Sequence, residues 1–103
     1  MITDEVFAAL SDGTRRDLLL ELGGGPRRAG DLAEPFDISR PAISRHLRVL
    51  REAGLISSEQ RGREHWYRLE PGALEPASEW MDHAAAIWPD ALSALKRYVE
   101  SSK

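Results

Sequence analysis

The 103-residue chain contains no cysteine, which removes at one stroke any thiolate metal site and any cysteine nucleophile. It has no apolar run long enough to cross a bilayer and no basic, apolar leader, so a soluble, unexported, cytoplasmic protein without membrane contact is expected. No phosphate loop, no paired-carboxylate cleft signature and no grouping of histidine, carboxylate and nucleophile is present, and no enzyme is expected. Internal repeats, low-complexity tracts and an interdomain linker are also missing. A chain of this length supports one domain, residues 1–103, with a modest core.

What is present is an uneven distribution of charge. The formal net charge of −3 argues against nucleic acid until it is divided by segment. Residues 1–36 carry 4 Arg against 7 acids, residues 37–68 carry 7 Arg against 4, and residues 69–103 carry 3 Lys or Arg against 6. A local basic face steers and holds phosphates even on an acidic protein, and acidic flanks discourage non-specific association.

The centre of that basic segment reads as a helix from Ser39 to Gly54 with two chemically opposed faces. At roughly 100° per residue, Ile43, Leu47 and Leu50 form a buried stripe while Pro41, Ser44, Arg45 and Arg48 cluster opposite. Ser39 is a good N-cap, Pro41 is tolerated in the first turn, and Gly54 can take the left-handed cap. Such a helix has the chemistry of a DNA reader.

Around it, Val6, Phe7 and Leu10 mark a first helix, and Asp12 caps a second that runs through Leu18, Leu19 and Leu22 to the break at Gly23-Gly24-Gly25. Ala29 to Phe36 reads as a short third helix, with Leu32, Ala33 and Phe36 inward, cut short by Pro35. After Gly54 the period changes: Leu55–Gln60 and His65–Leu69 are β-compatible and joined by a basic tip, Arg61-Gly62-Arg63-Glu64. Tyr67 and Leu69 share one face of this hairpin, Trp66 and Arg68 the other. From Ala77 to Val99 a last helix is expected, with a kink near Trp88 caused by Pro89. The fold class is mainly α with a small β-hairpin: a winged helix-turn-helix (helix-turn-helix about 29–54, wing about 55–69, terminal helix about 77–100).

Ala9-Leu10-Ser11-Asp12-Gly13-Thr14-Arg15-Arg16, Gly30-Asp31-Leu32-Ala33, Ile38 through Leu55 with its Ser-Arg-His-Leu-Arg-Val-Leu-Arg-Glu-Ala-Gly-Leu core, and Tyr67-Arg68-Leu69 resemble the ArsR/SmtB-type bacterial repressors. The resemblance covers about residues 5–70 by motif. It implies a repressor whose N- and C-terminal helices form a dimer interface. Gly13 stands where the family usually has Pro, and Asp37 where its turn often has Gly; Asp tolerates left-handed conformations better than most residues. Where metal-sensing members carry cysteines, just before the helix-turn-helix, this chain has Arg28 and Gly30, so that sensing site is missing.

Candidate DNA-binding residues are Arg40, Pro41, Ala42, Ser44, Arg45 and Arg48 on the helix and Arg61 and Arg63 on the hairpin tip. An Arg can fork onto guanine O6 and N7, Arg45 being the first choice; Ser44 can donate to a base or phosphate, and Pro41 and Ala42 can meet a thymine methyl. Arg61 and Arg63 would reach the minor groove or backbone and add affinity more than specificity. Arg51 is expected on a phosphate or an acidic partner, His46 as a packing residue with one hydrogen bond, and Trp66 and Tyr67 as packing residues.

The apolar stripe of the last helix is larger than so small a domain uses internally. Phe7, Trp80, Ala84, Trp88, Ala91 and Leu95 are therefore expected at a homodimer interface. Glu79, Asp82 and His83 offer too few ligands for a zinc site, so no metal is expected, nor any cofactor; the sequence carries no signature of a small-molecule effector. The reading is a homodimeric repressor of a pseudo-palindromic double-stranded DNA operator. Its rival from another class is a winged-helix adaptor for protein interaction or dimerisation, whose arginines meet acids on a partner. Duplex binding at low salt separates the two.

Overall fold

The structure, a computed structural model, describes residues 4–87 and 97–101. Its elements run α1 (Asp4–Leu10), α2 (Gly13–Leu22), β1 (Arg27–Arg28), α3 (Ala29–Ala33), α4 (Arg40–Glu52), β2 (Ile56–Arg61), β3 (Glu64–Leu69) and α5 (Glu75–Ile87), with residues 97–101 again helical. Among the described residues no helix is long and apolar enough to cross a membrane.

Local chemistry sets the helix ends. The Asp12 carboxylate accepts the Arg15 amide at 3.1 Å and starts α2; the Ser39 hydroxyl accepts the Ala42 amide at 3.2 Å and starts α4. At the far end of α4, Gly54 adopts φ 80°. Its amide donates to the Arg51 carbonyl and the Leu55 amide to the Leu50 carbonyl, both at 3.0 Å, the paired bonds of a Schellman cap. α3 stops at Ala33, before Pro35, as the missing proline N–H requires. The last helix begins at Glu75, two residues ahead of its expected start at Ala77.

The core is aliphatic. Leu18 and Leu22 from α2, Leu32 from α3, Leu50 from α4, and Leu55 and Ile56 at the entry to the wing are its largest fully buried side chains. Val6, Ala9, Leu19, Ile43 and Leu47 complete it, with Phe36 and Tyr67 packed against its edge. The expected stripe of α4 is thus its buried face, with no more than 3% of Ile43, Leu47 or Leu50 exposed.

The sheet is a three-stranded antiparallel one in the order β1-β3-β2. The β2–β3 register runs from Ile56↔Leu69 to Arg61↔Glu64, leaving Gly62-Arg63 as a two-residue loop. Gly62 has φ 63° and Arg63 is not in the left-handed region, the sign pattern of a type II′ hairpin turn. β1 was not expected from sequence: two residues carry no period, and only the free edge of β3 makes Arg27 and Arg28 a strand, opposite Tyr67 and Trp66.

On α1 and α5 an apolar surface stays open. Phe7 is 37% exposed, Trp80 49%, Met81 52% and Ile87 57%, and the Phe7 and Trp80 rings meet edge to face at 5.7 Å. Ala84 is half-buried on the same helix. Trp88, Ala91 and Leu95, also expected at this surface, and the expected kink at Pro89 lie outside the described residues.

Candidate nucleic-acid interface

Burying Ile43, Leu47 and Leu50 forces the opposite side of α4 outward, and Arg40, Pro41, Ser44, Arg45 and Arg48 are all exposed there; Ala42 is half-buried at the edge. The first turn of α4 carries no acid, so its positive dipole end and its arginines act in the same direction on an approaching phosphate. The wing is fixed to the other end of this helix: Leu55 and Ile56 are buried, and Arg51 donates to the Ser58 hydroxyl at 3.3 Å. Arg51, expected on a phosphate or an acidic partner, thus meets a hydroxyl and no acid among the described residues, and it remains exposed.

The arginines sort into two groups. Arg15 and Arg16 donate to the last carbonyls of α1, Arg27 to the Glu21 carbonyl at the end of α2, Arg28 to Glu64 and Asp31, Arg51 to Ser58, Arg61 to Glu59 and Arg68 to Ser57. Between positions 15 and 68, Arg40, Arg45, Arg48 and Arg63 make no hydrogen bond or ion pair with any described residue. Three of these lie on the exposed face of α4 and the fourth in the wing turn. Arg61, expected as a second mobile cation of the wing, instead lies 3.3 Å from the Glu59 carboxylate and 5.0 Å over the Trp66 ring. The Arg28 guanidinium, hydrogen-bonded to Glu64 first and to Asp31 second, is held charged even more firmly than usual.

This arrangement has counterparts. Residues 10–59, from the end of α1 into β2, match the family described as Helix-turn-helix domain. The transcriptional repressor SdpR of Bacillus subtilis is 45% identical over 78 residues, covering 76% of this chain and 87% of that protein. The arsenical resistance operon repressor of Escherichia coli is 35% identical over 94 residues, covering 90% of this chain and 80% of that one. The solved structure of an ArsR-like transcriptional regulator from Rhodococcus sp. RHA1 superposes with TM-score 0.75 at 40% identity, over 95% of this chain and 90% of the other. The chain belongs to the ArsR family. It is a DNA-binding transcriptional repressor with a winged helix-turn-helix fold.

Within this ArsR-family repressor, sequence reasoning missed Arg15, which ties the end of α1 to α4. Arg15 sends Nε to the Ala9 carbonyl at 2.7 Å, Nη2 to the Ala8 carbonyl at 3.0 Å, and an Nη1 donor to within 3.3 Å of His46 Nδ1 on α4. Because α1 has no basic residue in its last turn, its orphan carbonyls are satisfied from α2 instead. His46 is the packing residue expected, 21% exposed and 4.0 Å from the Asp12 carboxylate. The Asp12 carboxyl is held below the usual carboxylate range, chiefly by the Arg15 amide it accepts; partial desolvation opposes this and the His46 charge adds to it. The available signal was the pairing of Asp12 with an Arg three positions on, in a helix start where cations are otherwise unfavourable.

Trp66 and Tyr67 pack as expected, Tyr67 against the core and Trp66 under Arg61, although Trp66 Nε1 is buried without a partner among the described residues. Tyr67 also stacks on His65 at 5.1 Å. Glu79, Asp82 and His83 are exposed on α5.

Proposed function

We propose that the repressor acts in the cytoplasm as a homodimer on a pseudo-palindromic operator, placing one α4 in the major groove of each half-site. Arg45 forks onto a guanine, with Arg40, Arg48 and Ser44 on flanking bases and phosphates and Pro41 and Ala42 against thymine methyls. Arg63, with Arg61 in a lesser part, follows the backbone beside the groove. The dimer is closed by Phe7, Trp80, Ala84, Trp88, Ala91 and Leu95. The observation that carries this reading is the division of the arginines between positions 15 and 68: those on the outer face of α4 and in the wing turn are the ones without a partner among the described residues. An adaptor reading has no comparable support, since the family to which the chain belongs binds DNA.

The test compares Arg45→Ala with Arg63→Ala on an operator selected from random DNA, titrated at several salt concentrations. Arg45→Ala is expected to cost about 1–3 kcal/mol of specific binding and to relax base preference at one position per half-site. Arg63→Ala is expected to weaken all sequences alike and to lower the salt slope by about one. The same uniform loss in both would defeat the assignment of base reading to α4.

A further inference from the structure

A cleft of about 280 Å³ opens where the wing joins α5. Its apolar walls are Leu19 and Leu55, both buried, and Leu69 and Leu74, 36% and 45% exposed. Glu70 and Glu75 also line it, at either end of the Pro71-Gly72-Ala73-Leu74 turn. Neither carboxylate makes a hydrogen bond or ion pair with a described residue. The turn between them is firmly built: the Glu70 amide donates to the Leu55 carbonyl at 3.0 Å, the Ala73 amide to the Glu70 carbonyl at 3.2 Å, and the Glu75 amide to the Gly72 carbonyl at 3.1 Å. Gly72, at φ 76°, has no side chain to close the mouth, and the Glu75 carboxylate folds to 3.8 Å from the place a Cβ would take there.

We propose that this cleft is an effector site for a small hydrophobic organic cation, an alkyl or aryl amine or guanidine. The leucines remove its apolar body from water, and the two unpaired carboxylates of the lining attract its charged end. An anion of the same shape is repelled, and a neutral analogue gains only the apolar contact. The volume suits a molecule smaller than a typical drug-sized ligand. The site touches three mechanical parts at once: Leu55 in the link from α4 to β2, Leu69 at the end of β3, and Leu74 and Glu75 at the start of α5. A bound cation thus biases the setting of the reading helix and wing against the terminal helix, and changes operator affinity. That last consequence rests on the dimeric-repressor reading; the binding itself does not.

The test uses the whole chain, free of DNA, in amide correlation spectra titrated with n-hexylammonium, n-hexanol and n-hexanoate. Saturable shifts are expected at Leu55, Gly72 and Glu75 with hexylammonium, at affinity at least tenfold above that of either analogue, and lost in Glu70→Gln/Glu75→Gln. Equal response to hexanoate, undiminished binding by the double variant, or shifts centred elsewhere would overturn the site. So would shifts at these amides that follow protein concentration alone, since a second copy would then be the occupant. Operator titration at saturating hexylammonium is expected to show a severalfold change in the wild type and none in the double variant. Binding in the cleft with unchanged operator affinity would remove the regulatory role and leave the site standing. Absence of any operator binding would count against the DNA-reading proposal instead.

Discussion

The guanidinium of Arg15 closes the end of α1, through the Ala8 and Ala9 carbonyls, and reaches His46 on α4. Lys cannot reproduce that fork. Hydrogen bonds from a charged donor are each worth about 1.5–3 kcal/mol, so Arg15→Ala is expected to lower unfolding stability by about 2 kcal/mol in urea titrations, with Arg15→Lys recovering little of it. Asp12 gives a pH signature. Its carboxyl is lowered in the folded protein by the Arg15 amide, so the stability it contributes is present above the ordinary carboxylate pKa and is lost as pH falls through the lowered one. Asp12→Ala is expected to cost about 1 kcal/mol at neutral pH as a lost N-cap. The gap from wild type should close below about pH 4, as denaturant midpoints across pH would show.

At the scale of the element, α4 combines a rigid frame with a free face. Its start is held by Ser39, its end by Gly54, and its inner stripe by the core. A Cβ at Gly54 meets no atom within 4 Å, so what a substitution there changes is the backbone at φ 80°. The left-handed region costs an ordinary residue roughly 1–2 kcal/mol, and Gly54→Ala should lower the Tm accordingly. A Tm equal to wild type would show that the cap is not needed to end the helix. The wing is tied at both sides: Arg51 to Ser58 on β2, and Arg28 to Glu64 on β3 at 2.7 Å. Those exposed pairs set position more than stability, and they leave Arg63 in the turn as the wing cation without a partner among the described residues.

For the whole molecule, the decisive quantity is whether two reading helices act together. Half-sites one DNA turn apart, roughly 34 Å, bind a dimer as one unit, so separating the subunits forfeits the effective concentration that links them. Trp80, half exposed and packed on Phe7, is the described centre of the proposed interface. Trp80→Glu is expected to give a folded monomer with operator affinity reduced by at least a hundredfold, although every proposed DNA-contacting side chain is intact. Sedimentation, operator titration and circular dichroism on that variant decide the matter. A folded dimer would refute the interface; a folded monomer with full affinity would refute the paired half-sites.

The sequence by itself determined where α2 and α4 begin and end, which stripe of α4 is buried, and where the hairpin turns. Asp12, Ser39, Gly54 and Gly62 act within a few residues of themselves, and the period of Ile43, Leu47 and Leu50 needs only a helix to become a face. The tertiary structure decided the long-range pairings that separate the partnered arginines from those without a partner among the described residues. Arg28 meets Glu64 across 36 positions and Arg15 meets His46 across 31, and proximity in the chain announces neither of these two pairings. β1 exists only because β3 offers it an edge, and the cleft at Leu19, Leu55 and Leu74 only because α2, the wing and α5 converge. Capping and periodicity are local in the chain, whereas pairing depends on distances that only the packed core sets.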